Sequence, residues 1–381
     1  MLAVRLPVAK LPPETDSLRA EVREFLEREL AGHPPELRAK SWLAFDPEFS
    51  RKMAKRGWIG MTWPQSEGGA GRSILERYVV VEEMLAAGAP VAAHWTGDRQ
   101  SGPMLLRFGS PEQRRRFLPG MRAGTIFFCI GMSEPDSGSD LASVRTRARK
   151  VEGGWRLNGT KIWTSNAHRS DYMIALVRTG DVAKSKHAGL SQFIIDLSAQ
   201  GIGIRPIADL TGENHFNEVI FDDAFVPDDL LVGKPGDGWA QVTHELALER
   251  SGPERFMSSL PLLLAAADIV SAQEGGPARL GRLLAHLLTL RQMSVAVASM
   301  LTDGQQQPAL EAALIKDLGM TYEQTVADVL DDCLAALPPT EVDDAVVRIS
   351  NVVTTLAPSF SLRGGTREIL RGIIAKGVGA R

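Results

Sequence analysis

The chain has 381 residues, 44% of them apolar and 23% charged, a composition that excludes a disordered or fibrous protein and leaves room for two or three globular domains. A formal net charge of −3 argues against a nucleic-acid or anionic-membrane surface, and no apolar run reads as long enough to span a bilayer.

The opening "MLAVRLPVAKLPPETDS" has an apolar tint but breaks at Pro7, Pro12 and Pro13, so it lacks the unbroken apolar centre of a signal peptide. In "TDSLRAEVREFLEREL", Leu18, Val22, Phe25, Leu26 and Leu30 recur at helical spacing, with Asp16 or Ser17 as the cap. "SILERYVVVEEMLAAGAP" and "SPEQRRRFLPGMRAG" read the same way, each with a serine to start and a glycine to stop. Between them "GWIGMTWPQSEGGAGRS" is too rich in glycine and tryptophan for helix and reads as a packed connector.

From about Thr125 the pattern turns to strands. "TIFFCIGM" is a short apolar run, and "GWRLNGTKIWTS" reads as two strand halves around Asn158-Gly159, a hairpin signal. "DYMIALVRT", "LSQFIIDL" and "NEVIFDDAFVP" follow at strand length without an intervening helical period, which predicts an antiparallel β-domain. After "VGKPGDGW" helices return. Leu310, Leu314, Leu318, Val326, Leu330, Cys333 and Leu337 suggest one long amphipathic face, and loops cut the last third into four or five helices of a bundle. The expected architecture is α+β, with an N-terminal helical domain at 1–124, a middle antiparallel β-domain at 125–237 and a C-terminal four-helix-bundle domain at 238–381. The two cysteines, Cys129 and Cys333, each sit in apolar pattern, so two buried thiols and a reducing, cytoplasmic setting are expected. No CxxC or HxxxH spacing supports a zinc site.

Four stretches carry candidate chemistry. "CIGMSEPDSGSD" gathers Glu134, Asp136 and Asp140 among glycine and serine. It suits a divalent cation, a loop whose N–H groups and hydroxyls face an acceptor-rich ligand, or a plain turn. "KIWTSNA" sets Trp163 before two hydroxyls, which fits stacking on a planar ligand as well as a core tryptophan. In "WAQVTHELALERSGPERFMSSL", Val242, Leu246, Pro253, Phe256 and Leu260 form a stripe with Glu249 at its centre. A carboxylate on a buried helix face loses solvation and becomes a base fit for neutral pH, unless a cation such as Arg250 neutralises it. Glu254 lies about 120° away around the same helix, and Gly252-Pro253 is a point where that helix can end. Finally, in "SLRGGTREILRGII" Gly364-Gly365 breaks the chain and Thr366 is placed to cap the next helix.

In this order, "GWIGMTWPQSEGGAG", "GMSEPDSGSDLAS", "NGTKIWTSNA" and "GGTREILRGII" resemble the acyl-CoA dehydrogenase family of flavoproteins, over nearly the whole chain. The resemblance implies FAD, an acyl-CoA substrate, an electron-transfer flavoprotein as acceptor, and usually a tetramer built as a pair of dimers. It implies that Ile130, Met132, Ser133, Gly138 and Ser139 line the flavin, that Trp163, Thr164 and Ser165 cover its ring system, and that Thr366 and Glu368 reach it from the C-terminal part. Ser139, Arg250, Gly364 and Gly365 fall to the substrate, with the Gly364 N–H polarising the thioester carbonyl.

Two departures accompany the resemblance. Many members carry their base immediately before the "GT" of the last motif, where this chain has Gly364. A minority place a Glu before an Arg on the first helix after the β-domain, which is Glu249 here, with Glu254 in reserve. That arrangement belongs to isovaleryl- and long-chain-type members and to bacterial ones acting on branched or polycyclic acyl chains, so the resemblance implies a branched, cyclic or otherwise bulky substrate. The "RxxFG" and "QxxGGxG" segments that reach a neighbouring subunit's flavin are not found. In some bacterial members this loss goes with paired unlike subunits and fewer flavins than chains. The implied function is α,β-dehydrogenation of an acyl-CoA. The alternatives are a catalytically silent partner subunit and a flavin oxidase of the same fold.

Overall fold

A computed structural model describes residues 4–180, 186–248, 251–302 and 308–380. Seven helices come first: α1 (Thr15–Glu29), α2 (Pro35–Lys40), α3 (Pro47–Lys55), α4 (Ile74–Ala86), α5 (Ala92–Thr96), α6 (Gly102–Phe108) and α7 (Pro111–Ala123). The sheet follows, with β1 (Phe128–Gly131), β2 (Arg147–Val151), β3 (Gly154–Ser165), β4 (Tyr172–Arg178), β5 (Leu190–Asp196), β6 (Ile202–Ile207), β7 (Phe216–Pro227) and β8 (Leu231–Val232). The chain then returns to helix in α8 (Gly238–Leu248), α9 (Leu260–Ser271), α10 (Gly276–Thr302), α11 (Ala309–Ala335), α12 (Asp344–Leu356) and α13 (Arg367–Gly377). The architecture is thus N-terminal helices, a middle sheet and C-terminal helices, as the sequence suggests.

By packing, the chain gathers into two units. One takes Phe45–Gly71 and Ala92–Leu248; the other takes Met1–Ala44, Arg72–Val91 and Glu249–Arg381.

The first unit is built on an eight-stranded sheet in the order β6-β7-β3-β2-β4-β5-β8, with β1 beside β4. Its pairings are antiparallel except β1 with β4 and the single Arg147–Arg178 pair of β2 with β4, which are parallel. Met104 and Leu105 of α6 and Phe117, Leu118 and Met121 of α7 share a core with Phe128, Met173 and Phe193 of the sheet. Helix α7 starts from a capping box in which Ser110 and Gln113 exchange backbone bonds. The Gln113 amide also donates to the Leu231 carbonyl (2.8 Å), tying α7 to β8. The connector is packed, with Trp58, Ile59, Met61 and Trp63 buried. Cys129 and Cys333 are both free and buried, as expected.

The second unit is helical. Glu82 and Glu83 of α4 are buried and paired. Glu82 accepts from Arg19 (3.0 Å) and Arg291 (2.5 Å), and Glu83 accepts from Arg19 and from Arg23 (2.7 Å). They join α1, α4 and α10. The serine expected to start α4 does so, as half of a capping box formed by Ser73 and Glu76.

Several expectations need correction. Helix α1 begins at Thr15, not at a cap on Asp16 or Ser17, because the chain already turns at Pro12-Pro13 and Thr15 N–H bonds the Pro12 carbonyl (2.9 Å). Asn158-Gly159 is not a hairpin turn. Strand β3 runs unbroken through it, and the turn to β2 lies at residues 152–153, with Gly153 at φ +73°. Asn158 instead sits in a bulge, its side chain accepting from Asp223 N–H (2.9 Å). Gly159 is there for clearance, since a Cβ would lie 2.5 Å from the Thr146 hydroxyl. The stripe from Val242 to Leu260 is not one helix. Helix α8 is described as far as Leu248, Ser251 and Gly252 are not helical, Pro253–Arg255 is a separate tight turn, and α9 starts at Leu260. Gly252-Pro253 prevents continuation. Along α11 Leu318 faces outward, whereas Ile315, Lys316, Gly319, Met320 and Glu323 are buried. Helix α10, finally, is long and apolar enough to cross a bilayer by length and composition, against the expectation of no such run. Leu283, Leu290, Val295 and Val297 along it are buried.

Glycines provide a direct test of this packing. A Cβ on Gly102 would lie 2.1 Å from the Trp63 ring, whereas one on Gly281, inside α10, would meet nothing within 4 Å. Gly102→Ala is expected to destabilise by about 1–3 kcal/mol through overpacking. Gly281→Ala is expected to stabilise by up to about 1 kcal/mol through helix propensity. Denaturant unfolding of both variants checks the contrast.

Candidate active site

In the sheet unit the site grows from one buried ion pair. Lys161, on β3, has no exposed surface, and its Nζ donates to Glu134 Oε1 (2.8 Å) and to the Met132 carbonyl (3.1 Å). Glu134 also accepts the N–H groups of Arg145 (2.6 Å) and Thr146 (3.0 Å). Burial raises the Glu134 carboxyl, but the Lys161 charge and these donors together outweigh it and hold the group below its ordinary value. Burial pulls the Lys161 ammonium down to about 8, with the Glu134 charge opposing it. Arg178, on β4, closes the loop's far arm by donating to the carbonyls of Ala142 (2.8 Å) and Val144 (3.2 Å).

The loop after β1 therefore has a fixed base and an open tip. Ser137 Oγ donates to the Asp140 carbonyl (2.6 Å), and Ser143 Oγ donates to Ser137 Oγ (3.0 Å). Gly138 and Ser139 stand exposed between them. The three carboxylates do not converge on a cation. Glu134 takes Lys161, while Asp136 and Asp140 pair with Arg145 (3.6 Å) and Lys186 (3.2 Å).

The Ser133 carbonyl accepts from Ile162 N–H (3.0 Å), so the loop is stitched to β3 beside Trp163. There β3 bulges again, its register with β7 slipping between Lys161 and Thr164. Trp163 takes a left-handed conformation (φ +59°) and its side chain is 57% exposed. It is not a core tryptophan. Bulges re-aim side chains in this way, and a bulky residue in the left-handed region is strained. Buried Asn217 secures the bulge, donating to the Thr164 carbonyl (2.9 Å) and bonding His168 Nδ1 (2.8 Å). Phe216 packs edge-on against Trp163, with centroids 5.8 Å apart. Next to the displayed ring, the buried Thr164 hydroxyl has no hydrogen-bond partner among the described residues. The half-buried Ser133 hydroxyl makes no hydrogen bond among the described residues, and Ser165 is exposed. An outward ring beside two unspent hydroxyls is a donor set that fits a planar, acceptor-rimmed heterocycle such as a flavin. Ile130 and Met132 are half-buried at the root of the same loop.

In the helical unit, Gly364 (φ +66°) and Gly365 (φ +101°) form a left-handed pair before α13. Thr366 occupies the cap position of α13, but its side chain makes no capping bond to the helix. Glu368 is exposed in the first turn, its carboxyl lowered by hydrogen bonds from backbone N–H and from Thr366. Lys316 has no exposed surface and donates to the carbonyls of Arg363 and Gly365, the latter at 2.8 Å. Arg363 donates to Ser258 Oγ (2.6 Å) and Glu323 Oε2 (3.1 Å) and lies over the rings of Trp42 and Phe360. Glu254 is buried at 4% exposure, and a Cβ on Gly252 would lie 2.1 Å from its carboxylate. Its charge adds to the field that keeps the buried Tyr78 hydroxyl protonated, behind the larger effects of burial and Glu82. Glu249 and Arg250 lie outside the described residues.

Sequence matching now decides the family. Residues 12–125 match the family description "Acyl-CoA dehydrogenase, N-terminal domain" and residues 129–224 match "Acyl-CoA dehydrogenase, middle domain". Acyl-CoA dehydrogenase IpdE1 of Mycobacterium tuberculosis is 35% identical over 383 residues, spanning 96% of this chain and 97% of its own. The chain belongs to the acyl-CoA dehydrogenase family. Among solved structures, "Tcur3481-Tcur3483 steroid ACAD" superposes with a TM-score of 0.87 at 28% identity, over 99% of this chain and 100% of that one. The ChsE4–ChsE5 complex of Mycobacterium tuberculosis gives 0.82 at 27% identity, over 97% and 98%. An acyl-CoA dehydrogenase is an FAD-dependent oxidoreductase, and the residues around Trp163 fit that cofactor.

Sequence reading alone missed Lys161, Asn217 and Lys316. The available signal was a lysine or asparagine in the middle of an otherwise buried strand or helix face.

Breaking one side of the Lys161–Glu134 pair is expected to cost about 3–5 kcal/mol, and replacing both by apolar residues much less. Lys161→Met, Glu134→Gln and the Lys161→Met/Glu134→Leu double variant, compared by denaturant unfolding, measure the coupling. Because Glu134 is depressed in the folded state, its contribution is complete above the ordinary carboxylate value of 4.5. It fades as pH falls through the lower folded value. The stability gap between wild type and Glu134→Gln is therefore expected to be full at pH 7 and to shrink toward pH 3.

Proposed function

We propose that this chain catalyses α,β-dehydrogenation of an acyl-CoA thioester to a 2-enoyl-CoA, with Glu249 taking the α-proton. The observation that carries the reading is Trp163, turned out of the sheet at a cost in backbone strain, beside the Ser133 and Thr164 hydroxyls.

A thioester α-proton is too weakly acidic for a free carboxylate to remove. In this reading the N–H of Gly364 donates to the thioester carbonyl oxygen, where negative charge gathers as the proton leaves, and exclusion of water strengthens that bond. No acceptor for this N–H is present among the described residues. Glu249 is the base in this reading, with Arg250 beside it for the substrate. Trp163 covers the flavin, while Ser133, Thr164 and Ser165 offer hydroxyls to its rim. Gly138 and Ser139 offer an open turn, and Thr366 and Glu368 offer the first turn of α13. Bound FAD supplies the acceptor for the hydride that leaves the β-carbon, and electron-transfer flavoprotein is the expected onward partner.

Gly364 stands where many members carry a base, and it leaves that place without a side chain. The substrate in this reading is a branched, cyclic or otherwise bulky acyl group, which the steroid designation of the similar solved structure supports. The missing neighbour-flavin segments, and the paired naming of the similar complexes, support assembly with an unlike related subunit over a homo-oligomer. The same absence favours one second reading, a silent partner subunit. A purified chain that stays colourless with added FAD would establish it.

Anaerobic stopped-flow bleaching of the flavin by butyryl-, isovaleryl-, octanoyl- and cyclohexylcarbonyl-CoA, together with a steroid side-chain CoA ester, tests the proposal. Glu249→Gln is expected to lower the limiting bleaching rate by about 10²–10⁴, the range of a general base, and Glu254→Gln to cost less. A Glu249→Gln protein that bleaches at the native rate removes the assignment.

A further inference from the structure

The buried face of α11 carries Lys316, Gly319 and Glu323, spaced so that all three lie on one side of the helix. Each holds a different piece of backbone. Glu323 Oε1 accepts from Ser258 N–H (2.7 Å) and Oε2 accepts from Arg363 (3.1 Å). Gly319 lets the Arg255 carbonyl approach so closely that a Cβ would lie 2.2 Å from it. Lys316 binds the carbonyls of Arg363 and Gly365, the two that straddle Gly364. A Cβ on Gly364 would lie 3.2 Å from both Lys316 Nζ and Arg255 Nη2, so that loop rests directly on two cationic groups.

Peptide geometry turns this into a statement about direction. No cis bond is present among the described residues, and in a trans peptide the N–H points opposite to the C=O of the same unit. The Arg363 carbonyl points at Lys316, so the Gly364 N–H points away from it. The Gly365 carbonyl also points at Lys316, so the Thr366 N–H points away too. Neither N–H finds an acceptor among the described residues. A cation on the carbonyl also polarises the peptide and strengthens the N–H as a donor.

We infer that Lys316 is a positioning residue for the reaction: its buried ammonium holds the 363–366 backbone so that the Gly364 N–H is aimed and polarised for the thioester oxygen. The inference rests on the functional reading above, which gives that N–H its acceptor.

The test uses the FAD-loaded protein, with Lys316→Met removing charge and donor and Lys316→Gln keeping an uncharged N–H. The probe is whichever of butyryl-, isovaleryl-, octanoyl-, cyclohexylcarbonyl- and steroid side-chain CoA reduces wild type fastest. The limiting reduction rate is expected to fall about 10²–10³-fold in Lys316→Met, the size of losing one such donor. It should fall less in Lys316→Gln, with the half-saturating CoA concentration little changed in both. A purely structural plug would not separate rate from saturation in this way. Crystal structures of both variants read the backbone directly, and a rotated 363–364 peptide is the expected result. If Lys316→Met does not fold, Lys316→Gln carries both measurements. A native rate, or an unrotated peptide in the variants, overturns the inference. If no CoA ester reduces wild type, the functional reading fails, and the peptide orientation in the variant crystals still decides what Lys316 does.

Discussion

An ammonium stripped of water must be surrounded by acceptors, because its desolvation costs several kcal/mol. Among the described residues two are buried completely, Lys161 and Lys316, and the loops that carry the candidate chemistry are shaped around them. Lys161 draws in Glu134 and the Met132 carbonyl, which fixes the root of the loop after β1. Lys316 draws in the carbonyls of Arg363 and Gly365, which fixes the glycine pair before α13. In both places a cation on a regular element dictates the path of an irregular segment. Sites supported from strands and helices hold their geometry better than sites left to loops alone.

The same two segments hold strained backbone. Trp163 and the Gly364-Gly365 pair are left-handed, a conformation that costs a tryptophan something and a glycine little. The tryptophan is kept there by Asn217 and by the register slip against β7. Its ring gains no core packing to offset that cost, because it is turned outward. Strain maintained by surrounding hydrogen bonds, on a residue that displays a flat aromatic surface, is the pattern of a ligand platform.

What the sequence revealed depended on how far apart the interacting residues lay. Ser73 with Glu76 and Ser110 with Gln113 are three residues apart, so both helix starts were legible. The strand runs were legible because their apolar residues are contiguous. Asn158-Gly159 misled because the same pair that favours a turn also suits a bulge, and only the distant Asp223 and Thr146 decide between them. The stripe from Val242 to Leu260 runs across Gly252-Pro253, which the sequence marks as a point where the helix can end, and the structure breaks there. Glu134 was visible as a possible ligand, yet its partner Lys161 lies 27 residues on, in β3. The leucines of α11 selected the wrong side of its first half, because the buried face there is the one with Lys316, Gly319 and Glu323.

That last failure has a physical cause that bears on the chemistry. Pattern reading treats a polar residue on a helix as a sign of solvent. A helix that supports a backbone donor, however, needs polar groups on its inner face, where they bind carbonyls and guanidinium groups of the segments it carries. At Gly364 the side chain is gone while the backbone support remains. In the proposed reaction the electrostatic half of thioester activation, an N–H aimed at an oxygen, is therefore independent of which side chain stands at that position. The proton acceptor is then free to reside on another segment. In the proposed reaction, a chain whose base lies elsewhere keeps its activity only if the backbone donor keeps its direction, and in that reading the direction is set from α11, by a lysine with no exposed surface.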